Sequence, residues 1–240
     1  MKPKTAWSDS GLGAMGCAGL LAACAAAAVA LAPVPSALAR GGFIFGFDVG
    51  GATVSGERGV DLKDYPTCNG NDACDVRSDT GSGFAFGLHF GYNVLGYGGI
   101  ELAGFGHGNK DSGKGKWEGS GHGSVVARVC PLQFFRQLDE RKYDTSLYVG
   151  YTIISYNGYH IKRFGDGRGW RGDGLPFGIT GEYYVNESIA VGVDLRFVKP
   201  WYNEYIYNLD DDITFTPESE PSTLVFAPMA TLTFRVPGSW

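Results

Sequence analysis

Seven isolated charged or titratable residues stand among glycine, alanine and threonine, and they are the first candidates for chemistry. Lone charges of both signs in such surroundings can pair as a structural ion network or, alternatively, pass a proton or an ion between them. A water-facing strand surface would instead be rich in Lys, Glu and Gln. We interpret the seven as a network inside a narrow interior: Asp48, His89, Glu101, Arg128, Glu182, Asp194 and Arg196.

Two segments between the regular parts of the chain carry opposite charge. Guanidinium groups suit bidentate contacts with phosphate, so the basic segment is a candidate for contact with a phosphate-bearing partner. Pairing with the acidic segment is the simpler alternative. The basic candidates are Lys162, Arg163, Arg168 and Arg171, and the acidic residues are Glu204, Asp210, Asp211, Asp212, Glu218 and Glu220.

No metal site or cofactor is expected. Three consecutive aspartates, 210–212, supply oxygen ligands but cannot all point at one cation, and Asp72 with Asp75 is an equally weak candidate. The cysteine spacing matches no zinc pattern. Cys68 and Cys74 flank a short polar span that can turn back on itself, so export to an oxidising compartment predicts a disulfide between them. Cys130 is expected to be a small buried residue.

The first residues are typical of a secretory signal. Lys2 and Lys4 precede an alanine-rich apolar run at 16–33, which ends at Ala37-Leu38-Ala39. This pattern predicts a signal peptide at 1–39, cleaved to leave a domain at 40–240. A membrane anchor and a lipoprotein signal that lipidates Cys24 are the alternatives.

Eight later segments alternate with period two, which predicts strands. Glycine, 38 of the 240 residues, is unusually frequent, and the net charge of −5 argues against nucleic acid as a partner. Connections after the first, third, fifth and seventh segments are long, whereas two others are tight. We expect a bulge at Pro228. We also expect the loop aromatics to form an interfacial belt: Trp117, Trp170, Trp201, Tyr202, Tyr205 and Tyr207. The segments are 42–54, 83–93, 98–105, 124–130, 145–154, 175–185, 189–198 and 223–235.

The two faces of these segments differ sharply. One face is bulky, apolar and free of charge, as in Phe43, Phe45 and Phe47, while the other carries the small residues and the lone charges. Acyl chains can contact strands only in a closed barrel, which leaves no backbone group unpaired. The pattern predicts an all-β, eight-stranded antiparallel up-and-down transmembrane barrel. A soluble calyx with its bulky face inward is the competing architecture.

The stretches GITGEYYVNESIAVGVDLRF and TSLYVGYTIISY resemble the small eight-stranded outer-membrane barrels, similar to OmpA-like and opacity-type surface proteins. The resemblance implies an outer-membrane location with extracellular long loops and periplasmic short turns. It also implies lipid and lipopolysaccharide as surroundings and the barrel-insertion machinery as a partner.

Some barrels of this kind modify lipid A with a hydroxyl nucleophile and a histidine base. The candidates here are His107 or His122 with Ser112, Ser120 or Ser124, and His160 with Ser155, and three of the four histidines are expected in glycine-rich loops. We therefore predict no enzyme. The favoured function is a surface-structural or adhesive barrel with a side-chain-filled lumen. The alternatives are a narrow conduit or binding barrel for a small apolar molecule or ion, and a lipid A-modifying enzyme.

Overall fold

A computed structural model describes residues 42–57, 60–61, 75–76, 81–94, 97–111, 117–134, 142–159, 168–208, 213–216 and 222–237. The predicted signal peptide at 1–39, the predicted disulfide between Cys68 and Cys74, and the side chains of Lys162, Arg163 and Arg168 lie outside the described part of the chain.

The described chain consists of strands and one short 3-10 helix at Pro131–Phe134. Each long strand alternates apolar and small or polar residues, the pattern that suits a pleated sheet with two different faces. In chain order the strands are β1 (Gly42–Glu57), β2 (Val60–Asp61), β3 (Asp75–Val76), β4 (Gly81–Val94), β5 (Gly98–Asp111), β6 (Trp117–Val129), β7 (Tyr143–Tyr159), β8 (Arg168–Tyr184), β9 (Ile189–Asn208), β10 (Ile213–Phe215) and β11 (Ser222–Pro237).

Eight long strands close into a barrel. From β4 to β9 each strand pairs antiparallel with the next, β9 pairs with β11, and β1 joins β11 to β4. The short β10 extends the sheet at β9, and β2 and β3 form a separate pair. The predicted eight-stranded antiparallel up-and-down barrel is confirmed.

The orientation of the two faces is also as predicted. Phe43, Phe45 and Phe47 are 41–53 % exposed, whereas Ile44 and Asp48, on the other face of the same strand, are each 3 % exposed. The bulky face therefore lies outside and the small, charged face lines the bore. The competing prediction of a soluble calyx, with its bulky face inward, is wrong. Within the described ranges, no helix is long and apolar enough to cross a membrane.

Two expectations about the strands are wrong. The connection predicted at 106–123 is mostly strand, because β5 continues to Asp111 and β6 begins at Trp117. No bulge forms at Pro228, since β11 keeps one register on either side of it, with Gly50 opposite Met229 and Thr53 opposite Phe226. A proline removes one ladder hydrogen bond without inserting a residue. Among the eight long strands, the register shifts lie instead in the β6–β7, β7–β8 and β8–β9 pairings.

Candidate functional site in the barrel lumen

All seven charged or titratable candidates lie inside the barrel, and none is more than 9 % exposed. They come from six strands, and each occupies an inward position because its neighbours in sequence point outward. The structure divides them among three clusters of contacts, centred on Arg196, Arg128 and Glu182.

Arg196 is the centre of the largest cluster. Its Nη2 lies 2.9 Å from Asp48 Oδ2 and 2.8 Å from Asp194 Oδ2. The Tyr148 hydroxyl accepts a hydrogen bond from Arg196 Nε at 3.3 Å and donates one to Asp194 Oδ1 at 2.9 Å. His89 Nδ1 lies 3.4 Å from Asp48 Oδ2. One guanidinium thus ties strands β1, β7 and β9 together across the bore.

Arg128 forms the second cluster. It donates through Nη2 to Glu101 Oε2 at 2.9 Å and through Nη1 to Ser146 Oγ at 2.5 Å, and its Nε also contacts Glu101. The guanidinium lies 5.4 Å from the centre of the Tyr148 ring. Tyr148 therefore contacts both arginines and links the two clusters.

The third cluster contains residues that the sequence analysis missed. Glu182 accepts a 2.6 Å hydrogen bond from Arg235 Nη2, and Arg235 stacks 5.0 Å from the Tyr184 ring centre. Asp144 accepts hydrogen bonds from Gln133 Nε2 at 2.7 Å and from the Tyr184 hydroxyl at 3.5 Å. Arg235 and Asp144 stand at inward positions near strand ends, so the period-two pattern was the signal that identifies them.

The polar clusters leave little free space in the bore. Two gaps among these side chains measure about 20 and 10 Å³, and a water molecule needs roughly 10–15 Å³. An apolar layer follows toward the long connections, made of Ala52, Val54, Ala85, Phe105, Val198, Val225, Ala227 and Met229. The filled lumen therefore holds charge and apolar packing in separate layers.

A third layer contains two histidines that the sequence analysis placed in loops. His107 on β5 and His122 on β6 are buried, and their rings stack 5.6 Å apart at 20°. His122 Nδ1 lies 2.8 Å from Ser155 Oγ, a pair that the sequence analysis did not propose. Of the proposed serines, Ser124 hydrogen-bonds to Thr152 at 2.9 Å and Ser120 stands opposite His107 in the β5–β6 register.

Two aromatic residues are likewise placed differently from the prediction. Trp170 and Tyr202 were expected in loops at the membrane interface, but they are 0 % and 1 % exposed, with rings 6.2 Å apart. Trp201, next to Tyr202, is exposed as expected. The alternation of strand β9 continues beyond the predicted end at Val198 and turns Tyr202 inward.

Arg171 is the one member of the proposed basic cluster whose side chain is described. It lies in strand β8 rather than in a loop, is exposed, and donates through Nε to Glu204 Oε2 at 2.7 Å. This contact joins the basic and the acidic segment. Among the described residues no group of three His, Cys, Asp or Glu side chains could hold a metal ion.

Cys130 follows β6 at the end of the barrel where the connections are short. It is free and buried, as predicted. Burial, together with the nearby Asp144 carboxylate, raises the pKa of this thiol to about 12. The thiolate is the reactive form, so burial and the raised pKa both lower the reactivity of Cys130.

No protein-family model matches the chain, and no curated protein sequence does. Among solved structures, Neisserial surface protein A is 11 % identical, with 81 % of this chain and 97 % of that chain covered at a TM-score of 0.52. The fold is that of the small outer-membrane β-barrels. OprG from Pseudomonas aeruginosa is 14 % identical, covering 82 % of this chain and 98 % of its own at a TM-score of 0.48. Ail of Yersinia pestis, in complex with the heparin analogue sucrose octasulfate, is 11 % identical. The match covers 82 % of this chain and 99 % of that chain at a TM-score of 0.43.

The exterior of the barrel has the features that lipid contact requires. Large apolar side chains are exposed on every long strand of the barrel. Aromatic residues lie at the end with the short connections, where Tyr97 contacts Phe134 at 5.2 Å between ring centres and Tyr143 is exposed. An apolar band flanked by aromatic residues is typical of barrels that span a membrane.

Proposed function

We propose that this protein is a non-enzymatic outer-membrane barrel with a closed bore, which serves as a rigid anchor for surface-structural or adhesive loops. The observation that supports this most directly is the packing of the lumen. Arg128, Arg196 and Arg235 each contact a carboxylate on another strand, and two gaps among these groups measure only about 20 and 10 Å³. A bore of this kind passes no hydrated ion.

The proposed orientation rests on the lengths of the connections. Those between β4 and β5 and between β8 and β9 are short and lie at one end of the barrel. Outer-membrane barrels have short periplasmic turns and longer extracellular loops. We therefore place the connections after β1, β7 and β9 at the cell surface. The proposal also includes removal of a signal peptide at 1–39 and delivery of residues 40–240 by the barrel-insertion machinery. It further includes contact of the basic segment with lipopolysaccharide through Lys162, Arg163, Arg168 and Arg171.

The absence of catalysis is part of the proposal because the hydrogen-bonded pair of His122 and Ser155 is inaccessible. Ser155 is 0 % exposed and His122 is 4 % exposed. A nucleophile must reach the reacting carbonyl, and Ser155 points into a packed lumen, away from the lipid on the outer face. The His122–Ser155 hydrogen bond therefore serves packing.

Conductance in a planar lipid bilayer tests the closed bore. We expect the wild-type protein to give no discrete current steps at neutral pH. Arg128→Ala removes the cation that contacts Glu101 and leaves space among the packed side chains of the lumen. We therefore expect this variant to give small discrete current steps. Arg171→Ala is the matched control: it changes an exposed residue outside the lumen and should give no current steps. Wild-type steps that change in Arg128→Ala would replace this proposal with the narrow conduit.

A further inference from the structure

A groove of about 500 Å³ runs along the outer surface of the barrel over β4 to β7. Leu88 and Phe90 of β4 form one wall, together with Phe45 of β1, and Ile153 and Ile154 of β7 form the other. The volume lies within the range of about 300–1,000 Å³ typical of ligand clefts. None of the described residues that line it is Asp, Glu, Lys or Arg.

The floor of the groove exists because two outward positions lack side chains. Gly104 on β5 and Gly123 on β6 stand opposite each other, and a Cβ atom on either would meet nothing within 4 Å. The neighbouring outward pair, Gly106 and Gly121, continues this bare strip, although the Phe86 ring covers Gly106. Toward the short connections, outward positions on these two strands such as Leu102 and Val129 carry exposed apolar side chains.

The second wall exists because the strand pairing is irregular. The β6–β7 register shifts between Gly123 and Ser124, so β7 holds one more residue than its partner there. Ile153 and Ile154 consequently both face outward, at 58 % and 60 % exposure, between the buried Thr152 and Ser155. A bulge re-aims side chains in this way, and here it places two large side chains together beside two glycines.

We propose that this groove binds one acyl chain of a membrane phospholipid. It is continuous with the apolar exterior that faces hydrocarbon, where acyl chains are the surrounding medium and water does not compete. Its lining offers an acyl chain contact on two sides and the floor, whereas a convex wall offers contact on one side only. Dispersion contacts of this kind are individually small and add up.

The choice of phospholipid over lipopolysaccharide rests on the orientation given under the proposed function. Phe45, Phe90 and Leu102 lie within four residues of the strand ends at the short connections. Ile153 and Ile154 lie ten and eleven residues after Tyr143, the corresponding end of β7. With the short connections periplasmic, the end of the groove at Phe45, Phe90 and Leu102 faces the inner leaflet of the outer membrane, which consists of phospholipid.

Native mass spectrometry of the full chain in mixed micelles with phosphatidylethanolamine tests the groove. We expect one lipid to stay bound to the wild type. Gly123→Phe places a ring in the groove without a clash at Cβ, and we expect retention to fall at least roughly tenfold, since lost contact with two methylene groups suffices for that change. Gly181→Phe is the matched control, because Gly181 is also exposed, with nothing within 4 Å of a Cβ, and should retain lipid like the wild type.

A second variant guards against a folding defect. Gly104→Leu fills the same groove from the neighbouring strand, and the mobility of unheated protein on a denaturing gel reports folding of each variant. Equal retention by wild type and both groove variants, or none by the wild type, would overturn the proposal. Retention of added lipopolysaccharide in place of phosphatidylethanolamine would overturn the assignment to phospholipid. Neither result depends on conductance, so the lipid experiment and the conductance experiment test the groove and the closed bore separately.

Discussion

Single arginines hold the bore together by contacting several groups each. Among the described residues, three buried arginines share the lumen with five buried carboxylates: Asp48, Glu101, Asp144, Glu182 and Asp194. Arg196 contacts Asp48, Asp194 and Tyr148 at once, which a planar guanidinium with five donors can do and a lysine ammonium cannot reproduce. Breaking a buried pair leaves an uncompensated charge, which is more harmful than the absence of the whole pair.

Arg196→Ala should therefore destabilise the barrel strongly. It leaves Asp48 and Asp194 buried without their cation, and the expected loss in the free energy of unfolding is about 3–5 kcal/mol. Urea unfolding in detergent micelles, followed by tryptophan fluorescence, measures it. Arg171→Ala is the control, because its exposed pair with Glu204 should contribute no more than about 1 kcal/mol. Equal effects of the two substitutions would contradict a buried network.

The alternation of side chains was enough to place the seven predicted lumen residues inside, but it did not identify their partners. Glu101 and Arg128 stand on the consecutive strands β5 and β6 and contact each other. Glu182 contacts Arg235, a residue at a strand end that drew no attention in the sequence. Which inward residues meet across the bore depends on the stagger between strands, which the sequence does not encode locally.

Among the strands, glycine has opposite roles on the two faces of the wall. Gly87 on β4 faces the bore, where a Cβ atom would lie 2.7 Å from Asp48 Oδ2 and 3.0 Å from Arg196 Nη1. Gly181 on β8 faces outward with open space around it. Gly87 thus makes room for the Arg196 cluster, whereas Gly181 leaves open space on the outer face.

Gly87→Val and Gly181→Val should separate these two roles. Overpacking of a filled interior typically costs about 1–3 kcal/mol, so we expect Gly87→Val to lower the unfolding midpoint in urea. Gly181→Val adds a β-branched residue in open space and should leave the midpoint unchanged or slightly higher. A larger loss for Gly181→Val than for Gly87→Val would be inconsistent with the described faces.

The positions at which strands begin and end were the hardest feature of the fold to predict from the sequence. Glycine-rich sequence around His107 and His122 suggested loops, yet the glycines alternate with Phe105, His107 and Asn109 in the rhythm of a strand. Glycine is permissive in any conformation, so its frequency alone cannot separate loop from strand. The bulge at Ile153 and Ile154 had no signal in the sequence, because two consecutive isoleucines fit a regular strand equally well.

Viewed as a whole, the molecule is turned inside out relative to a soluble protein, with charge inside and aromatic rings outside. The outward position Val149 on β7 is 51 % exposed. Val149→Arg should cost about 2–4 kcal/mol if this position lies near the bilayer midplane, measured as the free energy of folding into phospholipid vesicles. Glu187→Arg, in the exposed turn before β9, is the control and should change it little. A neutral result for Val149→Arg would contradict contact with hydrocarbon at this face.

The strands are longer than a bilayer requires. Strand β9 has 20 residues, which at roughly 3.3 Å per residue and a tilt near 40° rise about 50 Å, against an apolar band about 25 Å tall. Much of the wall therefore stands clear of the hydrocarbon as a stiff collar of paired backbone. A macromolecule that approaches this part of the barrel meets a surface of fixed shape before it meets any lipid.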